Sequence, residues 1–89
     1  MTGRIVKSKQ GRDKGYFMVI IGEEDGYLLV CDGKERPLER PKQKNPKHVE
    51  LTDTYIDEKD RKTNKSLRKA LAAYRDFAAK EEPICLKKT

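Results

Sequence analysis

Basic side chains gather in two parts of this sequence, and the chemistry that they suggest is the binding of phosphate. Lysine and arginine neutralise phosphates and release the counterions around a nucleic acid, while the planar fork of arginine matches two phosphate oxygens. One cluster surrounds the segment 11–15, and the other lies between residues 36 and 48. The candidate binding residues are Lys7, Lys9, Arg12, Lys14, Tyr16, Arg36, Arg40, Lys42, Lys44, Lys47 and His48.

Three of the ring-bearing side chains offer a second kind of contact. Tyr16, Tyr27 and His48 would stack on exposed bases. The alternatives are a strand residue at the edge of the core for Tyr16, surface packing for Tyr27, and a structural role for His48. For the basic clusters, the alternative is a pair of solvated charged loops.

The charge balance favours a polyanionic partner, because the 89 residues carry a formal net charge of +6. Pro37, Pro41 and Pro46 would keep the second cluster extended, so that less entropy is lost when it lies along a nucleic-acid backbone.

Catalytic and metal chemistry have little support in the sequence. Ser8 and Ser66 have no predicted proximity to His48, and no GxxxxGK[ST] phosphate loop occurs. Cys31 and Cys85 are far apart and form no CxxC pair, so we interpret them as free thiols, with Cys31 buried in a strand. We expect no enzymatic activity, no metal and no cofactor.

Short strands are the elements that must position the basic clusters. A run rich in β-branched and aromatic residues predicts a strand at 16–21, and alternating residues predict strands at 3–7 and 48–51. Residues 27–31 and 34–39 are expected to form the third and fourth strands. The fourth is expected at an edge, because Pro37 cannot donate to a central ladder. Residues 40–47 are predicted to be an extended basic loop.

Glycines mark the turns between these strands. Gly11 and Gly15 bracket a tight turn in which one or both need a positive φ angle. Residues 22–26 predict an acidic turn, and the dipeptide Asp32–Gly33 is typical of a hairpin.

The second half of the chain changes to helical periodicity. The apolar residues Leu67, Ala70, Leu71, Tyr74, Phe77 and Ala78 predict an amphipathic helix that Thr63 or Asn64 would cap and Pro83 would end. Residues 52–62 are a charged linker with room for one helical turn. An isolated helix of this length is marginal in water, so its apolar stripe is expected to pack on the sheet or, second, on a partner protein. Lys65, Arg68 and Lys69 lie close together on its polar face and would add phosphate contacts at one helix end, unless that face is only solvated.

Strands with short connections and no intervening helices predict a mainly β fold with a C-terminal helix. We expect a small antiparallel barrel of about five strands over residues 1–52. The linker, the helix and a tail would follow over residues 53–89.

The succession Gly3-Arg4-Ile5-Val6-Lys7, Gly11-Arg12-Asp13-Lys14-Gly15 and a hydrophobic strand resembles the KOW motif. The residues Asp32-Gly33-Lys34, Arg36 and 40–48 extend a resemblance to the large-subunit ribosomal protein of the L-fourteen-e type and its short bacterial relatives. It covers residues 3–51 and stops before the helix. This resemblance implies an SH3-like barrel of the KOW type that binds RNA, with ribosomal RNA or a ribosomal particle as the first expectation.

Two function classes follow. In the first, the glycine turn and the 36–47 loop form one positive rim for RNA, and the helix is available to ribosomal or other proteins. In the second, the chain is an SH3-like protein-interaction module in transcription or translation. The apolar run 16–21 is too short to span a membrane, and the first residues lack the features of a signal peptide. We therefore expect a cytoplasmic protein, ribosome-associated, with no membrane partner and monomeric when free.

Overall fold

A computed structural model of the chain describes residues 2–12 and 14–87, and the side chains as far as residue 78. Within that part, the strands are β1 (Arg4–Ser8), β2 (Phe17–Glu24), β3 (Tyr27–Cys31), β4 (Lys42–Lys44) and β5 (Val49–Tyr55). They form one antiparallel sheet in the order β4-β3-β2-β1-β5. Two short 3-10 helices, Pro46–His48 and Glu58–Arg61, precede and follow β5, and one helix, α1 (Asn64–Lys87), comes last. The predicted class, mainly β with five antiparallel strands and a C-terminal helix, is confirmed.

Buried residues lie on both faces of the sheet. Neighbouring residues of a strand point to opposite faces, so each strand contributes to two core clusters. Ile5 and Val19 lie on the face that α1 covers, where they pack with Leu67 and Leu71 of the helix. The opposite face holds a second core cluster, formed by Val6, Met18, Ile20, Leu28, Val30 and Val49. The predicted packing of the helix on the sheet is confirmed, although Phe77 of the predicted stripe is 59% exposed.

The sheet is bent, because the ends of β4 and β5 that residues 45–48 connect lie closer together than a flat sheet allows. A flat sheet of five strands would separate β4 from β5 by four spacings, or about 19 Å. Only residues 45–48 join these two edge strands, and three of them form a 3-10 helix, so the connection spans less than about 15 Å. Register shifts in the β1–β5 and β2–β3 pairs add to the bending.

The turns confirm some predictions and correct others. Gly11 and Gly15 both have positive φ angles, 92° and 89°, as the tight turn between β1 and β2 requires. The acidic turn predicted at 22–26 is present but shorter, because β2 continues to Glu24 and Gly22 sits at a register shift inside that strand, where a glycine is tolerated. The turn is only Asp25–Gly26, with φ angles of 51° and 82°, which suits a two-residue hairpin.

The edge strand predicted at 34–39 is wrong, and so is the hairpin expected at Asp32–Gly33. The Asp32 carboxylate accepts the backbone N–H groups of Lys34 and Arg36, both at 2.9 Å. The backbone N–H of Asp32 in turn donates to the Arg36 carbonyl. These bonds use the groups that a strand would need and fold the chain into a compact turn. The fourth strand is Lys42–Lys44, inside the stretch predicted to be a loop.

The C-terminal half follows the helical prediction except at its end. Thr63 caps α1, since its Oγ1 accepts the backbone N–H of Ser66 at 3.1 Å, and the 3-10 helix Glu58–Arg61 supplies the helical turn expected in the linker. The end predicted at Pro83 is wrong, because α1 continues to Lys87. A proline removes one amide hydrogen bond and bends a helix without necessarily ending it. β5 continues to Tyr55, beyond the boundary expected at residue 52. Among the described helices, none is both long and apolar enough to cross a membrane.

Candidate nucleic-acid interface

The loop between β1 and β2, residues 9–16, is held at its base by the strands that it joins. The backbone N–H of Ser8 donates to the Tyr16 carbonyl at 2.9 Å, and the N–H of Gly15 donates back to the Ser8 carbonyl at 2.8 Å. The carbonyl of Gln10 accepts the Ser8 hydroxyl at 2.9 Å and the Lys44 ammonium group at 2.7 Å. The described part of this loop is therefore tied to both β1 and β4.

The turn between β4 and β5, residues 45–48, lies directly beside this loop. The backbone N–H of Lys9 donates to the His48 carbonyl at 2.8 Å. Asn45 caps the turn, because its side-chain oxygen accepts the backbone N–H of Lys47 at 2.9 Å. Pro46 occupies the start of the 3-10 helix, where its missing N–H is not needed. Two segments that are far apart in sequence thus form one surface.

We call this surface the basic rim. Its exposed cations are Lys9, Arg12, Lys14 and Lys47, and His48 is half-buried among them. The structure brings together the first predicted cluster and the end of the second one, and it does so by backbone hydrogen bonds. Because backbone hydrogen bonds hold the bases of both segments, less backbone entropy is lost when these side chains meet a ligand.

Lys44 was predicted as a binding residue, yet its side chain lies inside the protein. It is only 6% exposed and pairs in register with the core residue Leu28. Its ammonium group donates to the Gln10 carbonyl, so that β4 supports the loop from within. Lys42 precedes it by two residues, shares its face of the strand and is half-buried.

Lys7 and Tyr16 lie near the two ends of the β1–β2 loop, Lys7 in β1 and Tyr16 directly before β2. Lys7 is half-buried, with its Nζ 5.8 Å from the centroid of the Phe17 ring. That ring meets Tyr74 of α1 edge-on, with 5.1 Å between the ring centroids. Lys7 therefore faces the helix side of the sheet. Tyr16, in contrast, is 59% exposed.

Arg36 and Arg40 belong to the 32–41 segment, which is attached to the start of α1. The Asn64 side chain accepts the backbone N–H of Leu38 at 2.7 Å and donates to the Glu39 carboxylate at 3.0 and 3.2 Å. Both arginines are exposed. The predicted single loop 36–47 is thus divided, with one part fixed to the helix and the other to the β1–β2 loop.

A groove runs between α1, the 32–35 turn and the end of the β1–β2 loop. Its cationic lining includes Lys34, Arg68 and Arg75, of which sequence reasoning noted only Arg68 as a contact. The spacing of seven residues between the two arginines corresponds to about two helical turns. The spacing of the two arginines is visible in the sequence, but the position of the 32–35 turn opposite them is not.

Cys31 is the free cysteine whose side chain the structure describes. Cys31 is buried, as predicted, and burial raises the pKa of its thiol to about 12, with the charges of Asp32 and Glu39 acting in the same direction. The group therefore stays a neutral thiol at physiological pH. The side chain of Cys85 lies outside the described residues. Among those described, no three His, Cys, Asp or Glu side chains come close enough to hold a metal ion.

No model of a known protein family matches the chain, and a search of curated proteins finds no match. The functional conclusion therefore rests on the fold, on the geometry of the basic rim and on the motif resemblance.

Proposed function

We propose that this chain is a non-catalytic RNA-binding protein with an SH3-like barrel of the KOW type. Its ligand would be ribosomal RNA or a ribosomal particle, which makes the protein ribosome-associated. The observation that carries the proposal is the hydrogen bond between the Lys9 N–H and the His48 carbonyl, because it joins the two basic segments into one rim.

The rim has the properties that phosphate binding requires. Lys9, Arg12, Lys14 and Lys47 are exposed, and cations in that position neutralise phosphates at low desolvation cost. Lys44 has a different part, since its buried ammonium group positions the loop through the Gln10 carbonyl. The rim would lie along the sugar-phosphate backbone, which sets affinity but carries little sequence information.

The assignment to the KOW type draws on the resemblance over residues 3–51 and on the bent, five-stranded sheet. The choice of ribosomal RNA draws on the resemblance alone. RNA binding and the ribosomal ligand are therefore separable parts of the proposal, and one experiment can test both.

The test is a salt titration of binding to ribosomal RNA and to generic RNA of the same size, measured by fluorescence anisotropy. The double variant Lys9→Glu/Lys47→Glu should weaken binding about tenfold at physiological salt and lower the slope of log affinity against log salt by about 2. A preference of the wild type for ribosomal RNA supports the ribosomal ligand, and equal affinity for both RNAs counts against it.

The matched control is Lys59→Glu/Lys62→Glu, which changes the net charge by the same amount on two exposed residues. These lysines lie within two residues of Arg61, whose side chain donates to the Ile56 carbonyl, and the Ile56 N–H donates to the Gly3 carbonyl beside the opposite end of β1. The ends of β1 are about 14 Å apart, more than a Debye length at physiological salt. If both variants weaken binding equally, the attraction comes from net charge and the rim is not the site. Binding that ignores salt would favour the protein-interaction module instead.

A further inference from the structure

The groove beside the basic rim has the size and the mixed lining of a small-ligand site. Its volume is about 430 Å³, within the range of about 300–1,000 Å³ typical of such sites. Residues of α1, of the 32–35 turn, of the β1–β2 loop and of the start of β2 line it. Among them are Tyr16, Phe17, Lys34, Arg68, Leu71 and Arg75. Apolar surface and cations therefore face the same space.

Two guanidinium groups of α1 lie on one wall of this groove. Arg68 and Arg75 are seven residues apart, which places them about 10 Å apart along the helix axis. The one described ion pair of Arg75 is with its neighbour Asp76 at 3.8 Å, and both side chains are largely exposed, so this pair is weak. Among the described residues, no carboxylate lies within ion-pair distance of Arg68. Both groups can thus receive an anionic ligand.

The opposite wall carries carboxylates as well as Lys34. Asp32 and Glu35 both line the groove, and Asp32 already accepts two backbone N–H groups through one oxygen. A groove with both charges suits a ligand that has both phosphate oxygens and hydrogen-bond donors. The amino groups of nucleobases are such donors, and carboxylates accept from them.

Aromatic surface completes the lining. Tyr16 is 59% exposed, while Phe17 is held in place by its edge-on contact with Tyr74. An exposed aromatic ring next to cations is the usual platform for an unpaired base. Tyr16 also belongs to the β1–β2 loop, so an RNA strand that follows the basic rim can continue into the groove.

We infer that this groove binds one unpaired nucleotide of the RNA whose backbone lies on the basic rim. The base stacks on Tyr16, and the adjoining phosphates lie against Arg68 and Arg75. The inference rests on the proposed function, because it takes the ligand of the rim to be RNA. It adds that the preferred RNA contains unpaired nucleotides.

The experiment compares a fully paired RNA hairpin with the same hairpin carrying a short single-stranded extension. The wild-type chain should bind the extended hairpin about tenfold more tightly. Tyr16→Ala and Arg68→Gln/Arg75→Gln should abolish that preference, and Tyr16→Phe should retain it because the ring is kept. Circular dichroism of each variant checks that the fold is intact.

The matched control is Lys59→Gln/Lys62→Gln, which removes the same charge from exposed positions that do not line the groove and should keep the preference. The rim variant Lys9→Glu/Lys47→Glu should weaken both RNAs alike. If the wild type shows no preference while the rim variant still weakens binding, the groove inference fails and the proposed function stands. If the wild type binds neither RNA, the proposed function fails and takes the groove inference with it.

Discussion

The two halves of the stretch 32–48 differ both in charge and in structural role, because residues 32–41 carry three acidic and three basic side chains, whereas residues 42–48 carry three lysines and no acid. Residues 32–41 fold into a compact turn that is held to the start of α1 by Asn64. Residues 42–48 contain a strand and a 3-10 helix that are held to the β1–β2 loop by Lys44. The first half forms one side of the groove, and the second half forms part of the basic rim.

The difference between Lys44 and Lys47 shows why charge alone does not identify a binding residue. Lys44 sits in a strand at a register position that faces the core, opposite Leu28, and is buried. Lys47 lies three residues further on, in a turn, and is exposed. The alternation of a strand therefore separates a positioning lysine from one that can reach a ligand.

The largest expected effect is that of Lys44→Glu on stability. The change removes a donor to the Gln10 carbonyl and places a carboxylate at a buried site, which should lower the free energy of unfolding by about 3–5 kcal/mol. Lys47→Glu should change it by no more than about 0.5 kcal/mol, because that side chain is exposed. Urea denaturation of both variants measures the difference. Equal stabilities would mean that Lys44 does not support the rim from inside.

Gly33→Ala tests the attachment of residues 32–41 to the start of α1. Gly33 has a φ of +80°, and a Cβ there would collide with the Asn64 carbonyl and lie 3.1 Å from the backbone nitrogen of Arg68. The strain and the collision together should cost about 2–4 kcal/mol, measured by urea denaturation. Gly26→Ala is the control, since Gly26 has a φ of +82° with no atom within 4 Å of such a Cβ. Its cost should be about 1–2 kcal/mol, and a cost equal to that of Gly33→Ala would argue against close packing of α1 on the turn.

Local patterns were sufficient wherever local chemistry determines the structure. β3 was predicted with its observed ends, 27–31, because an apolar run lies between two glycine-containing polar segments. A cap at Thr63 or Asn64 followed from the preference of such residues for helix starts, and the packing of Leu67 and Leu71 followed from helical periodicity. The fold class was therefore accessible from the sequence.

Contacts between distant residues decide what the sequence could not predict. Lys44 and Gln10 are 34 positions apart, and Leu38 and Asn64 are 26 positions apart. Neither contact has a local pattern, yet one buries a lysine that was predicted to bind RNA and the other fixes the 32–41 segment to the helix. The joining of the glycine turn and the 36–47 loop in one rim was therefore predictable, but the burial of Lys44 and the attachment of residues 32–41 to the helix were not.

The smallest stability change, and the finest test of the comparison, comes from replacing the asparagine that anchors each half. Asn64→Ala removes the bonds to Leu38 and Glu39 and should cost about 1–2 kcal/mol, whereas Asn45→Ala removes the cap on Lys47 and should cost about 1 kcal/mol. The two variants should affect RNA binding in different ways. Asn45→Ala loosens the rim and should weaken binding to paired and extended hairpins alike. Asn64→Ala loosens one wall of the groove and should reduce only the preference for the extended hairpin. Anisotropy titrations with both hairpins decide this, and identical profiles would show that the two halves act as one surface.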